Sequence, residues 1–336
     1  MAVNMVAQWQ DVSLETFRSE ILPRHRPAVL KGLVSDWAAV REGQSSPAAL
    51  ADYLRRFDNS RPVDALSGPP SINGYLFYAD DMRGLNFTRS SQPLGRFLDA
   101  LLARAGDDAP PALSVQSLKV SEALPGFDRH NPMPLLDPKV EPRLWIGNAV
   151  KVAPHFDLFD NIACVVAGRR RFVIFPPDQL ANLYVGPFDF SPAGAPVSMV
   201  DPDAPDLDRY PRYRHALAAA EVAELGPGDA IYIPYMWWHG VTSLDPVNVL
   251  ANYWWNDARP QAGSPFDVLM HALLVLRDLP PEHRAVWRGI FDHYVFRTDG
   301  DPLAHLAPEH RGALAGLDAA GVAGMKAYLA QALSRR

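Results

Sequence analysis

The chain has 336 residues, 48% of them hydrophobic, and a formal net charge of −6. This composition supplies a large core, and the length alone allows one large domain or two ordinary ones. The mild acidity provides no basic stripe of the kind that binds nucleic acid, so we expect no nucleic-acid partner. The 32 prolines indicate many loops and strand ends, because proline is excluded from helix interiors and central strands.

Cysteine content and the first residues bear on location. Cys164 is the only cysteine, so no internal disulfide can form, which fits a reducing compartment. The first twelve residues lack a basic segment followed by an apolar one, so we expect no signal peptide. No apolar window of about 18 residues is free of charge, and we expect no membrane span. These features predict a cytoplasmic protein.

The N-terminal part mixes predicted helices and short strands. Ser13 is placed to cap a helix beginning at Leu14, and residues 26–32 predict an apolar strand closed by a glycine turn. Helical spacing of apolar residues covers 48–57 and 94–105, and residues 75–78 predict a strand. We therefore expect α/β elements before the main sheet.

From about residue 140 the chain consists of short apolar or alternating runs separated by Gly, Pro, Asn and Asp. The runs are 144–149, 151–157, 161–167, 171–175, 230–233 and 247–254. Closely spaced short strands predict a sandwich or barrel, and Gly168 between two runs predicts a hairpin. Residues 186–213, rich in Pro and Asp, predict a long solvated loop that covers the substrate.

A helical region follows the predicted barrel. Apolar positions from Phe266 to Leu276 share one helical face, Pro280-Pro281 interrupts the pattern, and further helices are predicted over 282–294 and 311–334. We expect a core barrel over about 140–256 and a C-terminal helical region over about 264–336. Both are expected to belong to a single domain, 1–336.

A candidate metal site is carried by Pro154-His155-Phe156-Asp157. Alternate side chains of a strand share a face, so His155 and Asp157 point the same way. His239, which follows the predicted strand 230–233, is the best third ligand. Two histidines and one carboxylate on one side of an iron leave positions open for a bidentate co-substrate and oxygen. The other histidines form no HExxH or cysteine-paired zinc pattern.

Longer segments around these residues carry a family resemblance. The stretches PHFDLFDNIACVVAGRRRFVIFPPDQLANLYVGP and LGPGDAIYIPYMWWHGVTSL resemble the JmjC-type, cupin-like 2-oxoglutarate oxygenases. They look closest to the branch of the asparaginyl hydroxylase that inhibits hypoxia-inducible factor, and to its bacterial cupin-like relatives. SMVDPDAPDLDRYP, VNVLANYWW and the weaker PAVLKG resemble the same families. The clear similarity covers about residues 145–256.

The resemblance implies a double-stranded β-helix, mainly β with flanking helices, that binds Fe(II) and the co-substrate 2-oxoglutarate. His155, Asp157 and His239 match the metal ligands of the family. The position that supplies a lysine to the far carboxylate of 2-oxoglutarate falls on Arg170, and arginine suits a carboxylate through its planar fork. Strand alternation puts Arg169 and Arg171 on the opposite face, although either remains an alternative.

Further positions match the co-substrate pocket of that branch or depart from it. Asn161 and Asn252 match polar positions near 2-oxoglutarate. Val152 stands where the branch has a hydroxyl-bearing residue, and Ser114 where it has a tyrosine. The tryptophans are interpreted mostly as core residues, namely Trp237, Trp238, Trp254 and Trp255.

The resemblance implies a dioxygenase that converts 2-oxoglutarate and oxygen to succinate and carbon dioxide while hydroxylating a C–H bond. The primary substrate is unknown, with a protein or peptide side chain preferred over a small molecule by analogy. Two alternatives are a non-catalytic cupin-like binding module and a metal-dependent isomerase or zinc cupin. Relatives in this branch dimerise through C-terminal helices, so we expect a homodimer.

Overall fold

The computed structural model describes residues 4–256 and 262–334. The chain divides into two compact units, one ending at Asn256 and one beginning at Asp257. The expectation that barrel and C-terminal helices form a single domain stays a prediction, and its last two residues, 335–336, lie outside the described part.

The first unit contains all the described strands. In chain order they are β1 Asn4–Met5, β2 Ala7–Gln10, β3 Ala28–Lys31, β4 Pro62–Gly68, β5 Tyr75–Leu76, β6 Thr88–Pro93, β7 Ala112–Lys119, β8 Pro142–Gly147, β9 Lys151–His155, β10 Asp160–Ala167, β11 Arg170–Phe175, β12 Glu221–Leu225, β13 Ala230–Ile233, β14 Trp238–Ser243 and β15 Asn248–Trp255.

Helices lie before, within and after these strands. The α-helices are α1 Leu14–Thr16, α2 Ala38–Ser45, α3 Pro47–Arg55, α4 Leu94–Ala103, α5 Val120–Ala123, α6 Phe127–His130, α7 Tyr213–Ala219, α8 Pro265–Leu276, α9 Pro281–Phe291 and α10 Ala319–Ser334. Helix α1 begins at the Ser13 cap, as predicted, because the Ser13 hydroxyl accepts from the Thr16 amide at 3.0 Å.

The strands form two sheets that face each other. A six-stranded sheet has the order β1-β12-β11-β14-β9-β5, and a nine-stranded sheet the order β2-β3-β13-β10-β15-β8-β7-β4-β6. The eight strands β8–β15 contribute four antiparallel neighbours to each sheet, β12-β11-β14-β9 and β13-β10-β15-β8. This confirms the predicted double-stranded β-helix, which N-terminal strands extend at the edges.

Strand β10 shows how the sequence specifies two buried faces. Ala163 and Val165 belong to the hydrophobic cluster between the sheets, whereas Ile162, Cys164 and Val166 belong to the cluster on the outer face. That outer cluster includes apolar residues of α2, α3 and α4. A strand buried on both sides has a continuous apolar sequence, as residues 162–167 do.

The hairpin predicted at Gly168 is wrong. Strand β10 lies in the nine-stranded sheet and β11 in the six-stranded one, so Gly168 turns a corner between sheets. Its φ of +70° suits glycine, and a Cβ there would lie 2.7 Å from the Val247 carbonyl oxygen. Periodicity cannot distinguish a corner from a hairpin, because both join two apolar runs through a glycine.

The second unit holds α8, α9 and α10. None of these helices contains a buried residue, and Leu274 is 73% exposed. Helices are therefore present in the predicted region, although the third begins at Ala319 and not at residue 311, and large apolar side chains are exposed. Of the described helices, none has the length and apolar character that crossing a membrane requires.

Candidate metal centre

Neighbouring strands of the six-stranded sheet bring the two predicted histidine ligands together. His155 is the last residue of β9, His239 is the second residue of β14, and the two are register partners in the antiparallel pair. Their ring centroids are 4.4 Å apart. The register shifts directly after His239, so a bulge lies beside the site.

Both imidazoles are oriented by the backbone. Nδ1 of His155 lies 2.9 Å from the Ala153 carbonyl oxygen, and Nδ1 of His239 lies 3.1 Å from the Trp237 carbonyl oxygen. A carbonyl can only accept, so each Nδ1 carries a proton, and in the neutral ring Nε2 then holds the free lone pair. A hydrogen bond of this kind fixes the tautomer of a metal-binding histidine.

Asp157 follows β9 in the loop, and its Oδ2 lies 3.6 Å from Nε2 of His239. The same oxygen accepts from Trp254 Nε1 at 3.1 Å and from Asn161 Nδ2 at 3.2 Å. The three candidate ligand atoms all lie within 4.8 Å of one another. Strand alternation predicted the convergence of His155 and Asp157, although the strand itself ends at the histidine.

A cavity of about 330 Å³ contains the triad. Its wall includes the three predicted co-substrate residues Arg170, Asn161 and Asn252, together with Val152. All six predicted site residues therefore line one cavity. Ser114 is not among the residues that line it and pairs with Gly147 in the sheet.

Arg170 is the arginine of the 169–171 run that faces the cavity. It is 5% exposed, and within the described residues its guanidinium has no hydrogen-bond or ion-pair partner, with Nε fully buried. Burial lowers the pKa of Arg170 to about 9, so it is a cation at neutral pH. Arg169 pairs instead with Asp245 at 3.0 Å, and Arg171 pairs with Asp203.

The two asparagines form a chain that ends on the candidate ligand. Asn252 Nδ2 donates to Asn161 Oδ1 at 2.8 Å, and Asn161 donates onward to Asp157. The Asn252 oxygen is buried and has no partner among the described residues. A buried polar atom without a partner costs free energy, so this oxygen and the Arg170 Nε both suit a polar ligand in the cavity.

Burial also sets the charge of His239. Loss of solvation, followed by the neighbouring His155, lowers the pKa of His239 to about 4. The imidazole is therefore neutral at pH 7, which is the form that binds metal.

Several cavity residues were not predicted from the sequence. Trp254, interpreted as core, lines the cavity and holds Asp157, whereas Trp237 and Trp238 are buried as predicted. Gln116 and Ser117 also line it, and they lie on β7, which the sequence reading missed. One signal was available for Trp254, because alternation along β15 places it on the same face as Asn252.

The donor set fits Fe(II). Two imidazoles and one carboxylate are the ligands of the facial triad, which leaves positions open to a co-substrate. The cavity adds the buried Arg170, which has no counter-ion among the described residues, as binding of a dicarboxylate requires. Within the described residues, this is the group that could hold a metal ion.

Residues 13–260 match the model of the cupin-like domain. The chain belongs to the cupin-like domain family. It is 27% identical over 272 residues to "Lysine-specific demethylase JMJ31" of Arabidopsis thaliana, covering 71% of this chain and 47% of that protein. It is 37% identical over 118 residues to human "HSPB1-associated protein 1", covering 34% of this chain and 23% of that protein.

A third cupin-like relative aligns over most of both chains. The human "Bifunctional peptidase and (3S)-lysyl hydroxylase JMJD7" is 28% identical over 273 residues, covering 72% of this chain and 81% of that protein. The chain spans about half or less of the first relatives it matches. Family and triad confirm the predicted JmjC class with Fe(II) and 2-oxoglutarate, while the asparaginyl hydroxylase branch is not singled out.

Proposed function

We propose that this protein is an Fe(II)- and 2-oxoglutarate-dependent hydroxylase, with a protein or peptide as its primary substrate. The observation that carries the proposal is the buried, unpartnered Arg170 in the same cavity as His155, Asp157 and His239. A buried cation without a counter-ion is unfavourable for folding, so a bound carboxylate is the simplest reason for its presence.

Each site residue has a distinct part in this proposal. His155, Asp157 and His239 would hold Fe(II), and Arg170 would bind the far carboxylate of 2-oxoglutarate through paired charge-assisted hydrogen bonds. Asn161 and Asn252 would orient Asp157 and offer one amide oxygen to the cavity. When bound, iron and 2-oxoglutarate would activate dioxygen and so supply the oxidising chemistry that inserts one of its oxygen atoms into a C–H bond.

The insert 186–213 supports a role in covering the substrate. Ala193 and Gly194 line the metal cavity, and Asp203 anchors the insert to the six-stranded sheet through Lys151 at 3.2 Å and through Arg171. A covering loop excludes water, which strengthens the electrostatic interactions inside and limits side reactions. Asp203 of the insert is therefore structural, rather than only solvated.

Hydroxylation is preferred to demethylation because JMJD7, named as a hydroxylase, aligns over 81% of its length, against 47% for the relative named as a demethylase. The main alternative is a non-catalytic cupin-like binding module. The cavity favours an enzyme, because a binding module has no need of two oriented imidazoles beside a buried arginine. A cytoplasmic location is part of the proposal and is tested by cell fractionation.

The test has two readouts on the purified full-length protein. With Fe(II) and oxygen, the wild type is expected to release succinate from 2-oxoglutarate; with Mn(II) under nitrogen, it is expected to bind 2-oxoglutarate in calorimetry. Asp157→Ala should abolish both, and Arg169→Gln, on the opposite strand face, should retain both. Metal-loaded wild type that binds no 2-oxoglutarate would contradict the proposal.

A further inference from the structure

Strand β7 contains an irregularity beside the metal cavity. Val115 pairs with Ile146 and Leu118 pairs with Leu144, so Gln116 and Ser117 together oppose the single residue Trp145. Ser117 has a φ of +56°, in the left-handed region that a residue with a side chain adopts at a cost in free energy. Such a bulge redirects side chains, and here both extra residues line the metal cavity.

The bulge also ends the pairing between β7 and β4. These strands pair from Gly68↔Ala112 to Ala65↔Val115, and no strand pairing is described beyond that point. Strand β4 nevertheless continues paired with β6 as far as Pro62, and β7 continues paired with β8 as far as Lys119. The facing edges of Pro62–Asp64 and Gln116–Lys119 are therefore open to other backbone partners.

A groove occupies the gap between these edges. We call it the strand groove; it has a volume of about 330 Å³ and is lined by residues 61–64, 115–119 and 122–123 and by Arg143. Gln116 and Ser117 line both the strand groove and the metal cavity. The strand groove therefore adjoins the metal cavity at these two residues.

Arg143 is the cation best placed to determine which molecules bind in the strand groove. It is half-buried on β8, donates to the Ser117 hydroxyl at 2.8 Å, and lies 5.6 Å from the ring centroid of Trp254. No acidic residue of the described chain lies within 4.0 Å of it, whereas Lys119 and Arg61 both pair with Glu122. Arg143 is thus held in place by neutral groups and forms no direct ion pair within the described residues, although its charge, after those of Lys119 and Arg61, helps to lower the pKa of Glu122.

The remaining charges favour an anion. The groove contains Arg61, Lys119 and Arg143 against Asp64 and Glu122, and the adjoining cavity adds Arg89 from β6, also without an acidic partner in the described residues. Asp64 is exposed on the β4 edge, whereas Arg143 neighbours Ser117, the residue shared with the cavity. Charge complementarity therefore places an acidic group near the metal end of the groove.

We propose that the substrate enters as an extended peptide segment in the strand groove, with an acidic side chain bound by Arg143 beside the metal cavity. This rests on the proposed function and adds the class of substrate sequence. Open strand edges bind an extended main chain through backbone hydrogen bonds, as in β-strand addition. The planar guanidinium, already fixed by Ser117 and Trp254, suits a carboxylate.

The test is selection from a library of short random peptides displayed on their own messenger RNA, using full-length protein loaded with Mn(II) and N-oxalylglycine. Peptides bound to the wild type are expected to be enriched in Asp or Glu at one position. Arg143→Gln should lose this enrichment and weaken the best selected peptide about tenfold or more. Arg143→Lys should retain part of the acidic enrichment, and the matched surface variant Arg169→Gln should retain all of it.

Hydrogen exchange provides the second readout. The selected peptide should slow exchange at the amides of 62–64 and 116–119. A peptide pool without acidic enrichment, unchanged selection by a folded Arg143→Gln, or protection only elsewhere would overturn the proposal. Loss of Mn(II) or N-oxalylglycine binding in Arg143→Gln would also overturn it, because Arg143 would then belong to the co-substrate site.

Parallel selection on metal-free protein separates the two proposals. Acidic enrichment that persists there, in a protein that never turns over 2-oxoglutarate, would contradict the proposed function and leave the groove assignment standing. Turnover of 2-oxoglutarate without any preference for acidic peptides would support the proposed function and contradict the groove assignment.

Discussion

Arg170 destabilises the folded protein when no ligand is bound and would stabilise the complex with 2-oxoglutarate. Its folded-state pKa, about 9, lies below the ordinary value, because burial disfavours the charged form. At neutral pH the cation is therefore retained at a cost in folding free energy. Residues that weaken the empty protein in this way commonly belong to functional sites.

Arg170→Gln is expected to weaken 2-oxoglutarate binding about 100-fold, since two charge-assisted hydrogen bonds are lost. The same change should raise the melting temperature of the metal-free protein, because an unpaired buried charge is removed. Anaerobic calorimetry with Mn(II) and thermal denaturation measure these effects. Arg170→Lys should bind with intermediate affinity.

Arg169→Gln is the matched control, because Arg169 is exposed and already pairs with Asp245. It should leave 2-oxoglutarate affinity unchanged. Equal losses of affinity in the Arg169 and Arg170 variants would show that the run contributes only general positive charge.

At the scale of elements, the corner at Gly168 determines how the two sheets connect. Gly168→Ala is expected to destabilise the protein by about 3 kcal/mol or more, because the new Cβ would fall on Asn248 Oδ1 at a positive φ. Denaturant unfolding measures the change. Gly95→Ala, in the open on α4, should instead stabilise by about 1 kcal/mol.

The strands that sequence reasoning found are those with continuous apolar runs, such as β10 and β13, because burial on both faces imposes that pattern. It missed β6, whose residues are mostly exposed and polar, and β14, which carries His239 within Trp-His-Gly-Val-Thr-Ser. The candidate metal ligands could still be predicted, because the residues flanking them resemble those of the family.

The rest of the site depends on distant strand pairing. Gln116 and Ser117 reach the cavity only because a bulge in β7 redirects them, and Arg143 belongs to the groove only because β4 and β7 separate. No local sequence pattern predicts a register shift between strands that are far apart in the chain. Arg170, by contrast, was predicted as the co-substrate residue from the family resemblance, and strand alternation put Arg169 and Arg171 on the opposite face.

At the scale of the whole molecule, buried tyrosines tie stability to pH. Burial raises the pKa of Tyr75, Tyr213, Tyr232 and Tyr253 well above the ordinary value. A raised folded-state pKa means that the folded chain keeps protons that the unfolded chain releases above about pH 10. Stability contributed in this way is fully present below pH 10 and is lost as the pH rises further.

We therefore expect the denaturant midpoint to fall steeply above about pH 10, each tyrosine contributing about 1.4 kcal/mol per pH unit. Tyr75→Phe should reduce this slope and raise stability at pH 8 by about 1 kcal/mol, because the buried Tyr75 hydroxyl has no partner among the described residues. The exposed Tyr235→Phe is the control. A slope equal in both variants would contradict the assignment.

The C-terminal helices carry the prediction of a homodimer. Exposed apolar residues include Leu274, Val286 and Phe296, at 73%, 64% and 66% exposure, and surfaces of this kind commonly mark association sites. Light scattering of the full chain should give twice the monomer mass. Leu274→Asp with Phe296→Asp should give the monomer, and Leu180→Asp, exposed in the first unit, should not.

The hydrogen bonds of Asp157 have a consequence for how the protein loses activity. The two histidines belong to the six-stranded sheet, whereas Trp254 and Asn161, which hold the carboxylate, belong to the nine-stranded one. A metal bound by His155, His239 and Asp157 would link the two sheets through the partners of Asp157. Metal binding and the packing of the sheets would therefore be thermodynamically coupled. A substitution that loosens the core far from the cavity would then lower the affinity for iron, and added iron would partly restore the activity.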